Sequence, residues 1–197
     1  MAFFRTINFT DPLPSIEGDG VVLRTPQMTD FEEWVALRET SREFLTPWEP
    51  TWPIDDLTRG AFRRRIKRYA EDLRSDQGYA FLIVRYTDGA LRADFGNIRR
   101  GVAQAGSMGY WIGLPYIRKG YMTAAVRAVI PFAFTSLRLH RLEAACIPTN
   151  TGSIKLLENT GFVREGYARE YLCINGTWQD RLLCGRMADP KDTPSYQ

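Results

Sequence analysis

The stretch MGYWIGLPYIRKGYMTAAV, residues 108–126, sets Arg118, Lys119 and Gly120 between a strand-like run and a helix-like one. A helix start leaves backbone N–H groups without internal partners and carries partial positive charge, so this junction suits an anion such as a pyrophosphate. Gly120 permits close approach of the backbone, and Arg118 and Lys119 add charge. Taken alone, the pattern fits a phosphate site and a solvated helix entry equally well. His140 is the single histidine. One histidine makes neither a triad nor a metal site, and a structural role is expected at the mouth of its strand. Cys146, Cys173 and Cys184 lack CxxC or His/Cys spacing, so no metal and no disulfide framework are assigned, and reduced, buried thiols are expected.

A loop of this kind must be held by strands and helices. Residues 1–20, rich in Pro, Gly and Asp, read as an extended lead-in. VVLRTP (21–26) alternates as a strand, and Thr29-Asp30 opens a helix that ends before Pro47. TPWEPTWPID is broken by prolines, after which 56–74 is a basic helix with Gly60 as a weak spot. YAFLIVRY (79–86), FGNIRRGVA (95–103) and SMGYWIGL (107–114) read as strands, with a turn at Asp88-Gly89. AAVRAVIPFAFTSL (124–137) is a helix kinked at Pro131, and LHRLEAACI a strand. Asn150-Thr151-Gly152-Ser153 starts another helix, and REYLCING and TWQDRLLCGRM close the chain as two strands joined at Asn175-Gly176. ADPKDTPSYQ is a polar tail expected to fray.

The bulk properties narrow the class. The 197 residues suit one domain, and 44% hydrophobic with 25% charged residues is an ordinary globular balance. No apolar run reaches the roughly 18 residues of a membrane span, and the N-terminus carries no secretory pattern, so a cytoplasmic protein is expected. With 26 basic and 23 acidic residues the net charge is +3, too small to argue for nucleic acid.

The ordered set of motifs resembles the GNAT acetyltransferases. Ile117 to Met122 is similar to their acyl-CoA pyrophosphate loop, Gln/Arg-x-x-Gly-x-Gly/Ala, with Gly120 in place and Ile117 and Met122 departing from the polar first and small last positions. Asn150 to Ser153, Leu156-Leu157-Glu158 and Gly161-Phe162 resemble the N-x-x-S, L-L-E and G-F pattern of the RimJ/RimL branch, which acetylates protein N-termini. Residues 98–113 and 166–183 are similar to the RimJ-type ribosomal-protein alanine N-acetyltransferases, and the resemblance spans residues 20–187.

The resemblance implies an α/β GNAT fold over 1–197, with a mixed, mostly antiparallel central sheet flanked by helices, and acetyl-CoA as cosubstrate. Trp111 and Ile112 would line the slot for the pantetheine arm, on a strand (Gly109 to Gly113) that splays from its neighbour and offers a backbone N–H to the oxyanion. Arg118, Lys119, Gly120, Tyr121, Met122 and Thr123 would surround the pyrophosphate, and Asn150 would orient cofactor or loop. Ser153 would lie near the sulfur and protonate the leaving thiolate or hold a water; the competing reading is that it only caps a helix. Trp48 and Trp52 fall where the family places its acceptor wall. Tyr167 and Tyr171 line the acceptor pocket or pack as ordinary strand aromatics.

An α-amine, with a reference pKa of about 7.7–8.0, is about a tenth neutral at pH 7, against about 0.04% for lysine, so N-terminal acetylation needs only a modest base; Glu170 on the last strands would serve, and is equally an ordinary surface charge or ion-pair member. The expected reaction is acetyl transfer to a protein N-terminal amine, an alanine or serine of a ribosomal protein being the implied substrate. A small amine, amino acid or antibiotic as acceptor stays open, as does a non-catalytic CoA-binding or ribosome-associated role. The helix with Arg59, Arg63, Arg64, Arg65, Lys67 and Arg68 would serve a ribosome contact or be a solvated face.

Overall fold

The computed structural model describes residues 13–101 and 103–189. The outer parts of the expected lead-in and tail, 1–12 and 190–197, lie outside the described residues. The described strands make one sheet: β1 (Ser15–Gly18), β2 (Val21–Arg24), β3 (Gly78–Arg85), β4 (Leu91–Arg100), β5 (Ala105–Ile112), β6 (Arg141–Cys146), β7 (Val163–Ile174) and β8 (Thr177–Met187), in the order β1-β2-β3-β4-β5-β6-β8-β7. Every neighbouring pair is antiparallel except β5 with β6. The mixed, mostly antiparallel sheet expected from the sequence is therefore present.

Strand alternation divides the core between the two faces. Along β3, Tyr79, Phe81 and Ile83 join the larger cluster, which α4 (Tyr121–Pro131) and α5 (Thr151–Asn159) cover through Val126, Val129 and Leu157. Leu82 and Val84 join the smaller cluster, covered by α1 (Phe31–Thr40) and α3 (Arg59–Arg74) through Trp34, Leu37 and Phe62. β3 is buried on both faces, which is why it reads as a continuous apolar run.

Several boundaries differ from the sequence reading. Residues 15–18 form β1, a short hairpin partner of β2 turned at Gly20 with φ +70, where a plain lead-in was expected. The first helix breaks at the fully buried Ser41, leaving α2 (Arg42–Leu45) as a separate turn. β4 begins at Leu91 and β7 at Val163, both earlier than expected. α4 begins at Tyr121, and Pro131 closes it instead of kinking it: the chain widens into a π turn with Leu137 N–H donating to the Phe132 carbonyl at 3.0 Å. Asn175 and Gly176, with φ +48 and +77, make the expected tight turn between β7 and β8. The thiols of Cys146 and Cys184 are buried, that of Cys173 half-buried, and all three are free.

α3 starts at Arg59, capped by Thr58, and leaves Asp55 and Asp56 outside to pair with Arg64 and Arg65. Arg59 pairs with Glu32, and Lys67 reaches Glu71 at 4.0 Å. Much of the basic character of this helix is thus neutralised within the molecule. Among the described residues no helix is long and apolar enough to cross a membrane.

Candidate active site

Two irregularities of the sheet open a cleft. Asp94 pairs with Trp111 and Asn97 with Gly109, so three steps along β4 oppose two along β5, a bulge facing Tyr110 that bends β4 and sharpens its twist. β5 and β6 pair only over Ala105–Ser107 and Arg141–Glu143. From Met108 onward the β6-facing edge of β5 has no strand beside it among the described residues. The gap holds a cleft of about 850 Å3, walled by Gly109 to Ile112 on one side and Ala144 to Cys146 on the other. The splay expected of this strand is present, and Trp111 and Ile112 line it.

One end of the cleft suits an anion. α4 has no side-chain cap and no acid in its first turn, so the N–H groups of Tyr121, Met122 and Thr123 lack intrahelical partners. Gly120 takes φ +83, and Arg118, itself at φ +58, lines the cleft with Gly120, Met122 and Thr123. A Cβ at Gly120 would meet nothing within 4 Å, so the left-handed backbone, not crowding, is what calls for glycine there. Lys155 of α5, absent from the sequence-based candidates, adds a second cation. Two expected residues stand back: Lys119 lies over the Tyr116 ring, 5.7 Å from its centroid, and the Tyr121 ring packs edge-on against the same tyrosine. The loop is anchored at its start, where Leu114 N–H donates to Ser41 Oγ at 2.9 Å.

The centre of the cleft holds Ser153 and Tyr110. Asn150 is the N-cap of α5, its Oδ1 accepting from Ser153 N–H at 3.0 Å, so the capping role falls to Asn150 and leaves the Ser153 hydroxyl free for other work. That hydroxyl lies 2.7 Å from Tyr110 Oη. Burial pushes the Tyr110 phenol above its ordinary pKa, so it stays neutral and keeps its proton. Cys146, also in the cleft wall, has its thiol pushed up by burial, which keeps it out of the thiolate form. The sequence reading missed Tyr110, although alternation signals it: with Trp111 on one face, Tyr110 must take the other.

The opposite end is built by α2 and the loop after it. Phe44, Leu45, Trp48 and Glu49 line it, together with Arg181 of β8. Glu49 is held on both oxygens: Arg38 donates from Nη1 and Nη2 at 2.9 and 2.8 Å, and Trp52 Nε1 donates at 2.8 Å. The Arg38 guanidinium is sandwiched 3.8 Å from the Trp52 ring centroid and 4.8 Å from that of Trp111. Trp48 lines the cleft at this end, whereas Trp52 stands behind Glu49 and fixes it. Asn175 at the β7–β8 turn steadies the loop, donating to the Thr46 carbonyl at 3.0 Å and accepting from Thr51 Oγ1 at 2.9 Å.

Glu170, Tyr167 and Tyr171 are exposed and do not line the cleft. Asp180 accepts from both Tyr167 Oη and the Glu170 N–H, and this holds a register break in β7 between Ala168 and Leu172, where Glu170 takes φ +49. The carboxylate brought to the cleft is Glu49, which lies between two tryptophans in a Pro-broken segment. Among the described residues no cluster of His, Cys, Asp and Glu is arranged to hold a metal.

A splayed parallel pair beside an uncapped helix start is the geometry expected for an acyl-CoA thioester, and comparison with known proteins agrees. The sequence model of the acetyltransferase (GNAT) domain matches residues 21–163. This chain belongs to the GNAT acetyltransferase family. It is similar to the probable N-acetyltransferase YjcK of Bacillus subtilis, with 37% identity over 170 residues covering 85% of this chain and 94% of the relative. It is also similar to the ribosomal protein uS5-alanine N-acetyltransferase of Escherichia coli, with 30% identity over 185 residues covering 93% and 95%. RimJ of Mycobacterium smegmatis, solved in complex with CoA-disulfide, superposes with a TM-score of 0.80 at 28% identity, covering 91% of this chain and 88% of that one. As a GNAT enzyme the chain is an acetyl-CoA-dependent N-acetyltransferase, and its residues fit that cosubstrate: free α4 N–H groups with Arg118 and Lys155 for phosphates, and the unpaired edge of β5 for the pantetheine arm.

Proposed function

We propose that this enzyme acetylates the N-terminal amine of a protein, with an alanine or serine as first residue and ribosomal proteins as the substrate class. The observation that carries the reading is the charge of the acceptor end. Glu49 is the one carboxylate among the described residues lining the cleft, it is already bonded to Arg38, and Arg181 stands on the same wall system. A polyamine or aminoglycoside needs several uncommitted carboxylates, whereas a single N-terminal amine needs one. The similarity to the uS5-alanine enzyme over nearly its full length supports the same class.

Acetyl-CoA supplies an activated acetyl thioester, and the residues of the chain do the rest. The exposed N–H groups of β5 receive the carbonyl oxygen and the charge that grows on it. Glu49, oriented by Arg38 and Trp52, keeps one lone pair on Oε1 free to receive the proton that the attacking amine must lose. Ser153 and Tyr110 form a hydrogen-bonded relay to the departing sulfur: Ser153 Oγ passes its proton to the sulfur while the Tyr110 phenol, which keeps its own, donates a hydrogen bond to that oxygen, and the proton that Glu49 took from the amine returns to Ser153 through solvent. About a tenth of α-amines are already neutral at pH 7, so the demand on the base is modest.

The test is acetyl-CoA turnover with peptides of varied first residue, each beside its N-terminally blocked twin, together with spermidine and an aminoglycoside. Turnover of free Ala and Ser peptides and none of the blocked twins is expected. Turnover confined to the small amines would overturn the protein-acceptor reading.

A further inference from the structure

Three arginines among the described residues are buried: Arg38, Arg92 and Arg181. Arg38 is paired with Glu49 and Arg92 with Asp88. Arg181, only 8% exposed, has no carboxylate within the 4.0 Å of an ion pair and no hydrogen-bond acceptor among the described residues. Burial pulls its pKa down from the ordinary arginine value, and the groups that act on its charge are the Cys146 thiol, which burial keeps protonated, and the Tyr171 phenol. A guanidinium does not lose its proton for that reason, so a positive charge stands in the cleft wall with no anion among the described residues to neutralise it. Its nitrogens are not among the buried polar atoms sealed from solvent without a partner, so the group keeps an open path into the cleft.

Strand register says which side it serves. Leu182 pairs with Cys146 of β6 and Leu183 with Ala145, with no register break, so Arg181 shares the face of Ala145 and not that of Cys146. Across the parallel pair, Ser107 lies beside Glu143, which puts Ala145 and Arg181 on the face of Trp111, and Cys146 on the face of Tyr110, where α4 and α5 pack. Arg181 therefore stands on the Trp111 and Glu49 side, away from the α4 N-terminus where phosphates would sit. The acceptor, not the cosubstrate, meets it.

We propose that Arg181 selects acceptors that carry a carboxylate close to the reacting amine, the amine going to Glu49 and the carboxylate to the guanidinium. This rests on the reading of the cleft as an acetyl-transfer site. The carboxylate has two sources: an acidic side chain in the second position of a peptide, or the α-carboxylate of a free amino acid. Bidentate pairing of a desolvated guanidinium with a carboxylate is among the stronger polar contacts, and loss of such a charged bond corresponds to about 10- to 100-fold in affinity.

The experiment measures kcat/KM for Ala-Asp and Ala-Glu peptides against Ala-Asn, Ala-Gln and Ala-Lys peptides of otherwise identical sequence, and for alanine against alanine amide. Wild type, Arg181→Gln and Arg181→Glu are compared. The wild type is expected to favour the carboxylate of at least one pair by about 10- to 100-fold, mainly through KM. In Arg181→Gln the ratio falls to about one, and in Arg181→Glu the Ala-Lys peptide becomes the best of the peptides. Ratios are taken within each variant, so a loss of folded protein cancels. A wild-type ratio near one in both series, or a preference that survives Arg181→Gln, overturns the proposal. Peptides acetylated without regard to their second residue, and alanine no better than its amide, would sink this inference and leave the protein-acceptor reading standing. A preference for alanine over its amide with all peptides inert would do the reverse.

Discussion

Replacing Tyr110 by Phe tests the proton path with little disturbance elsewhere. The substitution removes one oxygen, the one 2.7 Å from Ser153 Oγ, and keeps the ring that packs against Phe95 at 6.2 Å between centroids. A neutral hydrogen bond contributes about 1 kcal/mol to stability, so the variant should remain folded with a slightly lower midpoint. The chemical effect should be larger. General acids contribute about 100- to 10,000-fold, but a thiol with a reference pKa of about 8.5 leaves fairly well at neutral pH, which places this donor at or below the lower end. We predict that kcat falls about 10- to 100-fold at pH 7, or about 1.4–2.7 kcal/mol of barrier, with both KM values within about twofold of wild type. Above pH 9 the sulfur needs no proton, and the defect should shrink to a few-fold. Ser153→Ala should cost as much or more, and the double variant no more than Ser153→Ala alone, because the two hydroxyls act as one relay. Stopped assays of free CoA across pH 6.5–9.5 read all of this. A kcat within twofold of wild type at pH 7, or defects that multiply in the double variant, would refute the relay.

Arg118→Gln, which removes a cation from the anion end, should weaken CoA binding about 5- to 10-fold by titration calorimetry and flatten its salt dependence. Gly113→Ala brings a Cβ to 2.3 Å from Leu37 Cδ1 and 2.8 Å from its Cγ, and Leu37 is buried, so a loss of about 1–3 kcal/mol is expected in urea unfolding. Asp94, next to the bulge and paired in register with Trp111, has its carboxyl raised by burial from 3.8 to about 6 against the opposing charges of Arg65 and Arg38. Because the folded value lies above the unfolded one, its contribution is fully present below about pH 4 and is lost as pH rises through about 6. The stability of wild type minus that of Asp94→Asn should therefore fall by up to about 3 kcal/mol between pH 4 and 7.5; a flat difference would mean that Asp94 ionises at its ordinary pKa.

What the sequence disclosed follows from how local its signals are. The cofactor loop announces itself through a glycine, two cations and the change of period from strand to helix, and Gly120, Arg118, Met122 and Thr123 all reach the cleft. Ser153 was legible from its spacing to Asn150, but the division of labour between them was not, since either oxygen can cap a helix and only the geometry assigns that task to Asn150. Tyr110 was recoverable from alternation. Glu49 and Arg181 were not, because a carboxylate in an irregular segment and an arginine on a strand each become informative only through their partners: Glu49 by having Arg38, Arg181 by having none. Glu170 lies outside the cleft lining for a reason equally hidden from the sequence. A register break in β7 depends on the Asp180 carboxylate across the hairpin, and no period in the sequence reports it. β1 escaped notice because four residues are too few to show a period.

The account stands most directly on which amine is acetylated. A peptide that begins with alanine and carries one internal lysine, incubated with the enzyme and acetyl-CoA and sequenced by tandem mass spectrometry, offers both amines at equal concentration. The account predicts a single acetyl group on the alanine nitrogen, with the lysine unmodified. Acetyl on the lysine side chain, or none on the peptide while spermidine or an aminoglycoside is turned over, would contradict it.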